Sequence, residues 1–222
     1  MTARRAAGPR AAWLGAAGLG AAGLLRASFA ARAGSARFYL LTASLAGTWA
    51  GGALGAGPGP WRGDDRRAGT ARTARATIVV AVLTGGATFA VFYGAARAAR
   101  RCPALRRAIA SVLRYADNGS TPLVVLIAAG SGVAEELFFR GALWSGPRPL
   151  RATTLAYAAS TAATGNPALA LAGLATSVVF GWQRAATGGV LAPAVTHVTW
   201  SLLMLRYLPP LFRDAGHTPD PG

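Results

Sequence analysis

Apolar residues run along this chain in long blocks, and polar residues collect in short clusters between them. The blocks fall near residues 11–25, 38–57, 77–96, 122–144, 152–164, 167–182 and 187–208. A helix needs about 20 apolar residues to cross a bilayer. In lipid every backbone polar group must be bonded within its own element, which leaves helices and closed barrels. Runs this long and this uniformly apolar read as helices. The pattern predicts an all-α fold, a polytopic membrane bundle of about seven transmembrane helices. Blocks 152–164 and 167–182 are short, and form either one bent hairpin or two spans buried among the others. Block 11–25 follows a basic start, "MTARRAAGPR", as the core of a signal peptide does. No soluble domain that would need export follows it, so it reads as a retained first span.

Three segments add detail to this outline. The stretch "RAARRCPALRRAIASVLRYADNG" (97–119) interleaves arginines with Leu105, Ile109, Val112 and Leu113. It predicts an amphipathic helix lying in the interface with its basic face toward lipid headgroups. In "GTWAGGALG", Gly47, Gly51 and Gly55 recur every fourth residue, which places them on one face for close approach of a neighbouring helix. The end, "RDAGHTPDPG", is polar, rich in Pro and Gly, and reads as disordered; His217 within it is given no function. The chain thus divides into 1–121, N-terminal membrane helices with a basic interfacial segment, 122–208, a helical core carrying the candidate chemistry, and 209–222, a polar tail.

Composition supports the membrane reading. Charged residues make up 14% of the chain, against about 25% in a soluble domain. The formal net charge is +16 and every basic residue is arginine. Such a charge is also a footprint of nucleic-acid binding. Here, however, the arginines sit in clusters between apolar runs, the pattern of loops that flank membrane spans. The lipid bilayer is therefore the expected partner and nucleic acid is not. Arginines on the two sides of a seven-span arrangement nearly balance, so the positive-inside rule leaves orientation open. Cys102 is alone, which excludes a disulfide framework and a cysteine metal site.

The two glutamates of the chain are adjacent, Glu135 and Glu136, in "GSGVAEELFFRGALW". Ser120-Thr121-Pro122 is a good helix start, a capping hydroxyl followed by proline in the first turn. A regular helix from there to Trp144 would cross the bilayer and put Glu135 about 20 Å from its start. A charge near the bilayer centre costs about 2.5–3.5 kcal/mol and marks a functional position. Glu136 and Arg140 are four apart and can pair. Glu135 is turned about 100° away, free for another partner. A purely structural clamp is the alternative, although an ion pair needs one glutamate and two are present. His197 is the one histidine in the apolar blocks, with Ser201 four residues later and Thr196 and Thr199 nearby. A lone histidine among apolar helices is as often structural. A glutamate pair and a histidine from separate spans suit acid–base work, the carboxylate taking a proton from water and the imidazole stabilising charge or protonating a leaving group.

"EELFFRG" (135–141) resembles the EExxxR motif of the CAAX-protease and bacteriocin-processing (CPBP, or Abi) family of intramembrane endopeptidases. "FGWQRAATGGVLAPAVTH" (180–197) is similar to that family's approach to its last histidine helix. The resemblance covers 122–208. It implies a multi-pass protein of the cell membrane that cleaves a membrane-associated peptide or protein. Glu135 would activate the attacking water, Glu136 and Arg140 would support it, and His197 would be a site histidine. The family's third motif has asparagine four residues after that histidine; here Ser201 stands there and can still donate one hydrogen bond to an oxyanion. The second motif is an aromatic residue followed four later by histidine. Tyr157 fits it, but Thr161 occupies the histidine position, and both are expected to line the substrate cavity. A divalent metal such as zinc, held by His197 and Glu135, is the cofactor this leaves in play; a zinc site normally takes three protein ligands, so the adjacent Glu136 would have to serve. Two other functions compete. One is a pseudoprotease that binds a membrane protein or peptide without cutting it, motivated by Thr161. The other is a small transporter or proton relay, which predicts internal repeats; none is visible, and the polar positions are confined to the C-terminal half.

Overall fold

The computed structural model describes residues 3–57 and 71–213. Among them the chain forms eight α-helices and one π-helical segment, with no strand: α1 (Ala3–Ala30), α2 (Ala36–Gly55), α3 (Ala71–Ala99), α4 (Pro103–Asp117), α5 (Thr121–Glu136), the π-helix (Leu137–Ala142), α6 (Pro149–Ala162), α7 (Pro167–Thr187) and α8 (Leu191–Arg213). The fold is all-α, as the blocks predict. The two short blocks are separate helices, α6 and α7, packed on each other across a turn. The polar tail beyond Arg213, with His217, lies outside the described residues.

Local sequence sets most of the helix ends. Pro103, Pro122, Pro149 and Pro167 each sit in a first turn, where the missing N–H costs nothing and φ is already helical. Asn166 caps α7, its side-chain oxygen accepting from Ala168 N and Leu169 N at 2.9 and 3.1 Å. Ser35 caps α2 through Phe38 N at 3.2 Å. Ser120 precedes α5, but its hydroxyl makes no cap bond; its N–H donates instead to the Tyr39 hydroxyl at 2.8 Å. The α1–α2 turn requires Gly34, at φ 73°, because a Cβ there would overlap the Asn118 carbonyl.

The hydrogen bonds at the helix ends show which ends meet. The Tyr115 hydroxyl of α4 donates to Phe29 O and Ala31 O at the close of α1, at 2.5 and 3.0 Å. Asn166, in the α6–α7 turn, donates to Ala108 O and Ser111 Oγ of α4 at 2.8 and 3.0 Å. Asp117 pairs with Arg213 at the end of α8. α4 thus lies across one end of the bundle. Its Leu113 and Ile109 pack on Leu208, Leu211 and Tyr93, while Arg106, Arg107 and Arg114 are exposed. That is the placement of an amphipathic interfacial helix.

Two helices, Ala74–Ala99 and Thr121–Ala142, are long and apolar enough to cross a membrane. Only 17% of the apolar window in the first is buried, and Val79, Val80, Leu83 and Val91 face outward. An apolar surface of that kind marks a contact with lipid or with another protein.

The core joins α1, α2 and the π-helix. Trp49 packs on Phe138 and Phe139 with ring centroids 4.6 and 4.8 Å apart. The glycine pattern of α2 works differently from its expected role. Gly47 and Gly51 face open space, and Gly55 lies under Trp13. The close approach is made by Gly52, where a Cβ would stand 2.8 Å from Ala17 Cβ and 3.0 Å from Phe138 Cε2. Of the three glycines at four-residue spacing Gly55 alone meets α1, and Gly52, outside that spacing, makes the other close approach. Gly52→Val should therefore destabilise the fold by about 1–3 kcal/mol through overpacking. Gly47→Val should change little. Thermal unfolding of both variants in detergent checks the contrast.

Candidate active site

The helix that carries the glutamates is not regular. After Glu136 it widens into the π-helix, closed by Leu143 N donating to Phe138 O at 2.8 Å, an i+5 bond. The single regular helix expected from Thr121 to Trp144 is corrected accordingly. π-helical turns are rare and recur at functional positions. This one needs partners for the carbonyls it strands, and two distant arginines supply them. Arg184 Nε of α7 donates to Arg140 O at 2.7 Å, and Arg10 Nη2 of α1 donates to Ala142 O at 2.9 Å. The Arg184 guanidinium also stands 5.9 Å from the Trp144 ring centroid.

Glu136 and Arg140 are both fully buried, Arg140 Nη1 donating to Glu136 Oε1 at 3.1 Å. Arg140 Nη2 donates to Ser177 Oγ at 2.7 Å and to Ser177 O at 3.1 Å. His197 of α8 places Nδ1 3.0 Å from the same Glu136 Oε1. Its ring is stacked on Phe180, centroids 4.7 Å apart, and lies close to Gly132, where a Cβ would be 3.3 Å from His197 Cδ2. Glu136 Oε1 thus joins α5 to α8 through His197, and Arg140 extends the link to α7 through Ser177. A pair so deeply buried needs hydrogen bonds from several sides; here they are made in part, with Glu136 Oε2 and Arg140 Nε left without a partner.

Glu135 is placed otherwise. It is half-buried, its Oε2 accepts a hydrogen bond of 2.6 Å from the Tyr157 hydroxyl, and it borders a cavity of about 650 Å³. The cavity is walled by α1, α2, α3, α5, α7 and α8 and reaches the underside of α4, where Leu105, Ile109 and Val112 line it. Its wall is almost wholly apolar. The polar side chains in it besides Glu135 include Ser131, Trp200 and Ser201. Ser131 Oγ and Trp200 Nε1 are buried without a protein partner. A larger groove of about 970 Å³ between α1 and α6 has no carboxylate and no histidine in its lining.

The expected residues thus divide into two groups. Glu136, Arg140 and His197 touch one another; Glu135 and Ser201 share the cavity. Tyr157 and Thr161 do not border that cavity. Tyr157 is buried against Phe139 and reaches the site through its hydroxyl on Glu135 and its ring beneath the Arg140 guanidinium. Thr161 turns its hydroxyl onto Tyr157 O and Ala158 O of its own helix, at 3.2 and 3.0 Å, and packs against Gly173. Thr196 bridges helices instead, accepting from Gln183 Nε2 at 2.8 Å and donating to Ala81 O at 2.9 Å. Thr199 fills the space left by Gly85. Ser177, Arg184 and Arg10 were missed. Ser177 carries a signal, a hydroxyl in the apolar run of α7, whereas nothing local in sequence links Arg10 or Arg184 to the π-helix.

The donor set does not fit a metal. Glu136 Oε1 already holds a guanidinium and an imidazole, and Glu135 Oε2 holds a phenol. Among the described residues no three His, Cys, Asp or Glu side chains are grouped to bind an ion. With Nδ1 of His197 engaged by Glu136, Nε2 is the nitrogen left for an ion, and with Glu135 it makes two ligands where a zinc site normally takes three.

A helical membrane protein with an acid, a buried ion pair and a histidine gathered among its core helices is the class that fold and site define. Residues 117–203 match the family model of the type II CAAX prenyl endopeptidases, described as Rce1-like, in agreement with the family that the EExxxR pattern resembles. No curated protein and no solved structure matches the chain.

Arg140→Ala should cost about 3–5 kcal/mol, because it strands a buried carboxylate. Ser177→Ala should cost less, about 1.5–3 kcal/mol, the scale of one hydrogen bond to a charged group, since the Ser177 carbonyl remains. Thermal unfolding and membrane yield of the two variants test that order.

Proposed function

We propose that this protein is a multi-pass endopeptidase of the cell membrane that cleaves a membrane-associated peptide or protein, with Glu135 as general base. The observation that supports it most is the division between the adjacent carboxylates. Glu136 is locked by Arg140 and His197, while Glu135 faces an apolar cavity large enough for a peptide segment.

In this reading α1, α2, α3, α5 with the π-helix, α6, α7 and α8 cross the bilayer, and α4 lies at its surface. A substrate segment enters beneath α4 and reaches Glu135 at the far end of the cavity. Glu135 takes a proton from water as the water oxygen attacks the peptide carbonyl, then returns it to the departing nitrogen. Ser201 Oγ and Trp200 Nε1 are the donors in the cavity wall suited to the oxyanion, a role worth about 10²–10³-fold per donor. Glu136 holds the His197 ring through Nδ1, and the ring stands behind the cavity wall rather than in its lining. Arg140 keeps Glu136 in place. No step passes through a metal.

Thr161 favours a second reading. At the position where the resembled family has histidine, this chain has a hydroxyl bonded to its own helix. The alternative is a scaffold that binds a membrane segment in the cavity and does not cut it.

Cleavage of a panel of membrane-anchored peptides by purified protein separates the two. On the protease reading, wild type cuts and Glu135→Gln loses about 10²–10⁴-fold, the usual worth of a positioned acid–base group. Binding without cleavage by both proteins would sink the enzyme and leave the scaffold.

A further inference from the structure

Among the described residues, Tyr157 provides the one hydrogen bond made to Glu135, hydroxyl to Oε2 at 2.6 Å. The ring that carries this hydroxyl has little freedom. It is buried, stands edge-on to Phe139 with centroids 4.9 Å apart, and lies beneath the Arg140 guanidinium at 5.0 Å. Arg140 in turn is fixed by Glu136 and Ser177. The position of the phenol oxygen is therefore set by the same buried network that locks Glu136. A phenylalanine at 157 could fill the same space, and nothing in the packing of Phe139 or Arg140 needs the hydroxyl.

We infer that Tyr157 is a positioning residue for the Glu135 carboxylate, an inference that rests on the peptidase reading above. By donating to Oε2 it fixes the carboxylate plane and leaves Oε1 as the oxygen free to act. In the first step an O–H bond of water breaks, its proton goes to Oε1, and the water oxygen bonds to the peptide carbon. In the second the C–N bond breaks and the Oε1 proton passes to the nitrogen. Tyr157 keeps its own proton throughout. The chain has no histidine at 161, and the phenol one turn earlier supplies the neutral donor that Thr161, turned onto its own helix, does not.

The test uses the full chain in liposomes, as wild type, Tyr157→Phe and Glu135→Gln. Two readouts are taken: cleavage of a lipid-anchored peptide carrying a fluorophore and quencher, and the infrared carboxyl band of Glu135, assigned by its loss in Glu135→Gln. The expected result for Tyr157→Phe is unchanged melting, a shifted Glu135 band, kcat lowered about 10–100-fold as for a lost orienting bond, and KM within about threefold. An unmoved band, or a moved band with kcat unchanged, in a preparation whose wild type cleaves, overturns the inference. A wild type that cleaves nothing, while the band still moves in Tyr157→Phe, overturns the positioning role together with the peptidase reading and leaves only the hydrogen bond.

Discussion

A buried guanidinium and a buried carboxylate set the terms for the rest of this molecule. Neither Glu136 nor Arg140 reaches solvent, and an ion pair in that position loses more by desolvation than its own attraction returns unless further partners fill its remaining sites. Ser177 on α7 and His197 on α8 meet part of that need, while Glu136 Oε2 and Arg140 Nε stay buried without a hydrogen-bond partner. The requirement to satisfy one pair thus draws three helices to a common point. The packing around it follows from the same need: Gly132 admits the His197 ring, and Phe180 stacks on its other side.

The π-helix belongs to this constraint. It begins one residue after Glu136 and contains Arg140. A wider turn strands carbonyls, and stranded carbonyls inside a bundle must be bonded. Arg184 and Arg10 meet that need from opposite ends of the sequence. The result is a rigid strip in which Glu136 is committed to structure. Its neighbour Glu135, on another side of the helix, faces an open apolar volume with one tyrosine behind it. Adjacent residues thereby receive different environments, a condition for one carboxylate to hold a site together while another reacts within it.

Much of the fold was legible. Apolar blocks gave the helices because backbone groups among apolar side chains have no other way to be bonded, and prolines with capping residues gave their starts. The interleaved arginines of 97–119 gave the helix across the end of the bundle. The packing face of α2 was not legible, since spacing names several faces and only the neighbour chooses among them. In the candidate site, Glu135, Glu136, Arg140 and His197 stood out as polar residues in apolar runs. What spacing could not give was the approach of α8 to α5, which sets His197 on Glu136 and leaves Tyr157 to Glu135. The π-turn left no local mark either, because its supporting arginines lie 132 and 44 residues from the carbonyls they bond. Thr161 was expected in the cavity from a motif register; the close approach of α7 at Gly173 holds it elsewhere.

The central claim is that the two adjacent glutamates are unlike: Glu136 sealed within the ion-pair network, Glu135 open to an apolar cavity. A hydrophobic carbodiimide, small enough to enter that cavity and reactive toward carboxyl groups, reads this difference directly. After treatment of the full chain in liposomes, peptide fragmentation should place the adduct on Glu135, leave Glu136 unmodified, and show no adduct in Glu135→Gln. Modification of Glu136 in the folded wild-type protein, or equal modification of both, would contradict the account.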